Sequence, residues 1–182
     1  MACGIVDVNQ SAGDCGSDGG VSESRGVACE HIADVQFDAE GQITGFTMAT
    51  AGQWGKLVYD DDDTAFYNQE PNRQGKKITF NQQSFMKFEQ ITNDKIQAAC
   101  QATDCCCTVW VHKLNSGIVL TQGIDYDLDE GVWQFSKTNA RVDAGVFSDT
   151  GDNADRVEYT INSVGRKPSP ATILTLDAID AL

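Results

Sequence analysis

Carboxylates are the most abundant ionisable groups in the chain, and many of them are concentrated in two short runs. The chain has 27 acidic and 13 basic side chains, which gives a formal charge of −14. Carboxylates at alternating positions can ligate a divalent cation, but Gly131 follows the second run one position too late for an EF-hand turn, and Ser136 replaces the bidentate glutamate. Both runs therefore predict acidic surfaces and no metal site. They consist of Asp60, Asp61, Asp62 and Asp63, and of Asp125, Asp127, Asp129 and Glu130.

Nucleophilic catalysis needs a base that activates the nucleophile, and the chain has only two histidines. His112 falls in a segment of alternating apolar and polar residues, which is typical of a packed or surface histidine in a strand. His31 follows Cys29 and Glu30, a triplet too short to define a site. No G-x-S-x-G elbow, P-loop or G-x-G-x-x-G motif is present. We therefore expect no enzymatic activity and no cofactor.

Seven cysteines are present, so at least one is unpaired within a single chain. Four of them form a cluster of Cys100, Cys105, Cys106 and Cys107. The first residues lack the basic and apolar regions of a secretion signal, which favours reduced thiols. Disulfides formed after assembly, within or between subunits, are the alternative. Zinc is disfavoured because no C-x2-C pair occurs.

The charge balance narrows the classes of partner. A strongly acidic chain is unsuited to binding nucleic-acid phosphates or an anionic membrane surface, since both require clustered lysine and arginine. No stretch approaches the roughly 18 apolar residues needed to span a bilayer, so we expect no membrane anchor.

Short segments in which apolar and polar residues alternate predict antiparallel strands throughout residues 31–167, most regularly over 156–162. Residues 93–103 have helical spacing behind a capping residue. Residues 1–30 are rich in glycine, serine and aspartate without apolar periodicity, which indicates an extended arm. Residues 168–182 form an apolar and acidic tail that is expected to dock on the domain or on another subunit. The predicted fold is mainly β: an antiparallel β-sandwich or barrel with one short α-helix.

This order of elements resembles the tail-tube fold of long-tailed bacteriophages, and residues 147–152 leading into 156–161 are similar to the final hairpin of several phage major tail proteins. The cysteine run and the apolar C-terminal tail depart from the pattern of that family. The resemblance implies a virion protein, assembled in the host cytoplasm into stacked hexameric rings. Its partners would be further copies of itself, other tail proteins, and DNA that passes through the lumen without specific binding.

The resemblance also implies roles for particular segments. The two acidic runs become candidates for channel-lining or ring-contact surfaces, and the N-terminal arm and the strands over 56–80 become candidates for contacts between rings. Two alternatives remain open from the sequence. One is a capsid decoration or head-completion protein, and the other is a carbohydrate-binding or other ligand-binding β-sandwich.

Overall fold

The computed structural model describes residues 20–51, 54–59, 64–89, 107–127, 130–136, 138–148 and 156–182. These residues form twelve strands, a single 3-10 turn over Cys29–His31, and one short α-helix. The strands are β1 (Val21–Ala28), β2 (Ile32–Phe37), β3 (Ile43–Met48), β4 (Gly55–Val58), β5 (Thr64–Gln74), β6 (Lys77–Glu89), β7 (Thr108–Leu114), β8 (Val119–Gln122), β9 (Ile124–Asp127), β10 (Val132–Phe135), β11 (Thr138–Ser148) and β12 (Arg156–Gly165). The helix α1 covers Leu176–Asp180.

Two four-stranded antiparallel sheets make up most of the fold. The central sheet has the order β4-β1-β7-β8, and the outer sheet has the order β11-β12-β6-β5. Two further pairs, β2–β3 and β9–β10, are antiparallel hairpins. The described strands form open sheets and no closed barrel. The expectation of a mainly β, antiparallel fold with a short helix is therefore confirmed.

The central sheet is covered on both faces. Val27, Val109 and Val111 pack on one side in a hydrophobic core that includes Ile43 of β3 and Ile179 of α1. The opposite face contacts the outer sheet, where Ser84 on β6 donates a hydrogen bond to Gln122 on β8 (2.8 Å). Consecutive residues of β7 are therefore buried, whereas in a sheet with one solvent-exposed face only every second residue would be.

The N-terminal arm predicted over residues 1–30 includes residues that belong to a strand. Val21–Ala28 form β1, which lies inside the central sheet and pairs with both β4 and β7. The sequence conceals this strand because Ser24 and Arg25 are polar yet fully buried. Their hydrogen-bond partners lie on distant segments, so no local pattern marks them.

The turn between β5 and β6 falls at Gly75 and Lys76, where Gly75 adopts a positive φ of 63°. Pro71 lies within β5, which is an edge strand and so tolerates a residue without an N–H donor. The helix predicted over 93–103 lies outside the described residues.

The C-terminal tail docks on its own domain. The Thr172 backbone N–H donates to the Val119 carbonyl (2.9 Å), and the Ile43 N–H donates to the Ala171 carbonyl (2.8 Å), so the tail bridges β8 and β3. Thr175 caps α1 by accepting from the Ala178 N–H (3.2 Å). Among the described residues no helix is long and apolar enough to cross a membrane.

A disulfide joins Cys29 to Cys107, with the two Cα atoms 5.5 Å apart. The Cys29 N–H also donates to the Cys107 carbonyl (3.1 Å). This pair differs from the expected reduced thiols and ties the end of β1 to the start of β7. The other members of the predicted cluster, Cys100, Cys105 and Cys106, lie outside the described residues.

Candidate functional site

The described members of the two acidic runs occupy different environments. Asp125 is only 4% exposed, and its carboxylate accepts the Arg166 N–H at 3.0 and 3.1 Å. Burial raises the pKa of Asp125, against the opposing effect of these backbone donors. Asp127 is half-buried and Glu130 is exposed, so these two keep the character of a surface.

A channel-lining role therefore stays a prediction for Asp127 and Glu130, whereas Asp125 holds the bend that follows β12. Asp60, Asp61, Asp62, Asp63 and Asp129 lie outside the described residues. Within the described part of the chain, no three His, Cys, Asp or Glu side chains converge in a way that could hold a metal ion.

A buried polar seam joins the central and outer sheets; it consists of Ser24, Tyr59, Ser84, His112 and Gln122. Gln122 orients the seam, because its Nε2 donates to the carbonyls of Gln82 (3.2 Å) and Ile161 (3.1 Å). Its Oε1 is therefore the acceptor that faces Ser84 and His112.

That orientation fixes the tautomer of His112. Nε2 must carry the proton, since it lies 3.2 Å from the Gln122 Oε1 acceptor. Nδ1 then accepts from the Ser24 hydroxyl (2.8 Å), which in turn accepts from the Tyr59 hydroxyl (2.9 Å). Burial lowers the pKa of His112 to about 4, so the ring is neutral at neutral pH.

The Ser24–His112 pair has the partners of an activated nucleophile but not the access that one needs. Both side chains are 0% exposed, so no substrate atom can reach the serine hydroxyl. The geometry instead satisfies every polar group of the pair inside the sandwich. The seam is a structural connection between sheets, and polar residues within an alternating pattern were its only sequence signal.

A buried ion pair between β1 and α1 anchors the C-terminal helix. Arg25 on β1 is 0% exposed, and its Nη2 donates to Asp180 Oδ2 (2.9 Å) while its Nε donates to Oδ1. Glu23 accepts a further bond from Nη2 (3.2 Å), and the Ser24 carbonyl accepts from Nη1 (3.1 Å). Asp180 raises the pKa of Arg25 by hydrogen bonding and charge, against the opposing and larger single effect of burial.

The β5–β6 hairpin extends beyond the rest of the outer sheet. The pairing of β12 with β6 ends at Gly165 and Phe80, whereas β5 continues to pair with β6 from Pro71/Phe80 to Gln74/Lys77. No residue from 70 to 81 is buried. A two-stranded ribbon of this kind gains little stability by itself, because neither face is covered.

The hairpin also carries the opposite charge from the rest of the chain. Residues 71–88 contain four basic and no acidic side chains. Three of the basic residues, Arg73, Lys76 and Lys77, lie around the turn and form what we call the basic tip. All three are exposed. The remainder of the chain carries all 27 carboxylates against nine basic side chains, so positive charge is separated from an acidic body.

A groove of about 1060 Å³ runs beside the C-terminal segment. Glu23, Glu40 and Asp177 contribute carboxylates to its lining. Ile118 and Ile173 line it as well and are 52% and 61% exposed. The lining also holds Lys167 and Lys113, the second of which pairs with Glu23. The groove thus has apolar residues beside an excess of one carboxylate, a surface suited to a basic partner segment.

Comparison with known proteins identifies no relative. No protein-family model, curated protein or solved structure matches this chain.

Proposed function

We propose that this chain is a structural subunit that self-associates head to tail, and that it builds a phage tail tube of stacked hexameric rings. The observation that carries the proposal is the separation of charge between the exposed basic tip of the β5–β6 hairpin and the acidic body. Attraction between unlike surfaces of identical chains gives a heterologous contact, which closes into rings or continues as a filament.

The edge of the outer sheet supports the same interpretation. β5 is an 11-residue strand at the edge of the sheet, where backbone groups on one side have no strand neighbour among the described elements. Phe66 on this strand is 40% exposed. A long edge strand invites pairing with another chain, and an assembly that covers it removes the risk of unspecific aggregation.

The groove beside the C-terminal segment is the proposed receptor for the hairpin of the next copy. Its exposed carboxylates at Glu40 and Asp177 match the charge of the basic tip, whereas Glu23 already pairs with Arg25 and Lys113. Ile78 of the hairpin is 41% exposed and is the apolar counterpart of Ile118 and Ile173. The contact thus combines charge steering with burial of apolar surface.

In a tail tube, the acidic residues outside the hairpin would have a function. Carboxylates that line a bore repel DNA phosphates, so a genome passes without binding. Asp127 and Glu130 are the described candidates for that surface, together with Asp60–Asp63 and Asp129. In the virion the further partners would be other tail proteins.

Reversing two charges on the basic tip is expected to prevent assembly. The variant Lys76→Glu/Lys77→Glu replaces attraction to the acidic groove by repulsion, which is expected to raise the concentration needed for assembly by roughly tenfold or more. The control is Arg166→Glu, a charge reversal at an exposed residue that lies outside the hairpin and does not line the groove.

Negative-stain electron microscopy of the purified proteins supplies the readout. Rings or tubes are expected for the unaltered protein and the control, and isolated particles for the hairpin variant. Equal assembly of both variants would contradict the proposed contact. Trimers of the unaltered protein would favour a capsid decoration protein instead.

A further inference from the structure

Three aromatic rings and one carboxylate meet beside the β9–β10 hairpin. The concavity between them has a volume of about 470 Å³ and is lined by Asp34, Phe37, Tyr126, Val132 and Trp133. We call it the aromatic cup. It is formed by β2, β9 and β10, and Tyr126 and Trp133 are cross-strand partners.

The rings are held in place by contacts with one another and with the core. Phe37 stacks on Tyr126 with ring centroids 3.9 Å apart and an interplanar angle of 3°. Trp133 packs edge-on against Phe135 at 5.2 Å. Phe37, Tyr126 and Trp133 are each half-buried, so one side of each is packed while the remainder meets solvent.

The carboxylate of the cup is oriented as firmly as the rings. Asp34 Oδ1 accepts the Trp133 indole N–H (3.0 Å), and Oδ2 accepts from the Gln36 amide (3.2 Å). The bond from Trp133 is the main reason that the pKa of Asp34 is lowered, with smaller contributions from the Val35 N–H and from Gln36. Asp34 is therefore ionised at neutral pH and faces solvent beside the indole ring.

We propose that the aromatic cup binds an alkylammonium cation, with the charge over the aromatic rings and beside the Asp34 carboxylate. The faces of aromatic rings carry partial negative charge and attract cations within about 6 Å of the ring centre, most strongly for tryptophan. No residue lining the cup is basic. The neighbouring concavity, which shares Tyr126 and Trp133 with the cup, differs in having both carboxylates and basic side chains in its lining, namely Asp125, Asp127, Glu130, Arg166 and Lys167.

The chemistry of the lining favours a cation over a neutral polar ligand. A sugar or similar ligand needs several convergent donors and acceptors. Among the side chains that line the cup, the polar groups are the Asp34 carboxylate, the Tyr126 hydroxyl and the Trp133 indole N–H, which Asp34 already accepts. The net charge of −14 also raises the local concentration of any cation.

Choline is the probe, and its uncharged analogue with carbon in place of the ammonium nitrogen is the control ligand. Proton–nitrogen correlation NMR reports on each indole N–H separately. Trp54 and Trp110 are 9% and 1% exposed and far from solvent, so only the Trp133 resonance is expected to move. Saturation in the millimolar range with choline, and no saturation with the uncharged analogue, is the expected result.

A matched pair of variants tests the carboxylate. Asp34→Asn keeps an acceptor for the Trp133 indole while removing the charge, and it is expected to weaken choline binding about fivefold. Asp127→Asn makes the same change outside the cup and is expected to leave the affinity within about twofold. An alkylammonium group can come from a small quaternary ammonium compound or from a lysine side chain, and titration with lysine amide distinguishes the two. Tighter binding of lysine amide than of choline would assign a lysine side chain as the natural occupant.

The proposal is overturned if choline leaves the Trp133 resonance unmoved or if the uncharged analogue binds as tightly. Equal affinity of the Asp34→Asn variant and the unaltered protein would overturn it too. None of these outcomes depends on whether the protein forms rings, so this site and the proposed assembly are tested separately.

Discussion

Replacing Asp180 by alanine is expected to lower the free energy of unfolding by roughly 2–3 kcal/mol, because it leaves the Arg25 guanidinium buried without its main carboxylate partner. Arg25 is 0% exposed, whereas the Asp180 side chain is 31% exposed, and this places the expected loss at the low end for a broken buried pair. Urea denaturation followed by circular dichroism measures the effect.

The effect of Asp180→Ala on the helix itself would be to raise the free energy of unfolding. Asp180 is the last residue of α1, where a negative charge is unfavourable and where alanine is the better helix former. A measured loss is therefore attributable to the contacts that Asp180 makes with Arg25, 155 residues away in sequence, and with Lys56.

The control for this prediction is Asp177→Ala, which removes an exposed carboxylate from the first turn of the same helix. Its loss is expected to be about 0.3–1 kcal/mol. Comparable losses from the two variants would contradict the assigned role of the Arg25–Asp180 pair. In the double variant Arg25→Met/Asp180→Ala, much of the stability is expected to return, since no fully buried charge is left unpaired.

Acid is expected to weaken the fold through His112. The pKa of this residue is lowered to about 4 in the folded chain, from an ordinary value of 6.5, so the unfolded chain takes up the proton first as pH falls. The contribution of His112 is fully present above about pH 6.5, decreases as pH falls towards 4, and is lost below that, a change of roughly 3 kcal/mol. Urea midpoints measured between these pH values test the prediction.

The two histidines of the chain supply a matched comparison. His112→Gln is expected to be less stable but to lose this component of the pH dependence, whereas His31→Gln is expected to keep it. Tyr67, whose ring lies 5.6 Å from that of His112, has a pKa raised by burial to about 12 and stays neutral throughout. Identical pH profiles for the two variants would contradict a neutral, buried His112.

The strands could be predicted from sequence where one face of a sheet meets the core and alternation is regular. Residues 156–162, where the alternation is most regular, lie within β12. Strand β1 could not be predicted, because its buried polar residues are satisfied by His112, 88 residues from Ser24, and by Asp180. Such long-range partners leave no trace in local periodicity.

The candidate surfaces were only partly predictable for the same reason. The segment 56–80 was expected to mediate contacts, and the charges of the basic tip are visible in the sequence, but the projection of the tip depends on where β12 stops pairing with β6. The aromatic cup combines Asp34, Tyr126 and Trp133 from three strands. Its geometry follows from packing between hairpins that are distant in sequence.

Sedimentation velocity of the unaltered protein, at several concentrations and at low and high salt, tests the central claim of self-association most directly. The proposed contact between basic tip and acidic groove predicts assemblies of six or more chains at low salt, which dissociate as added salt screens the charges. A single monomeric species at every concentration and salt condition would contradict the account.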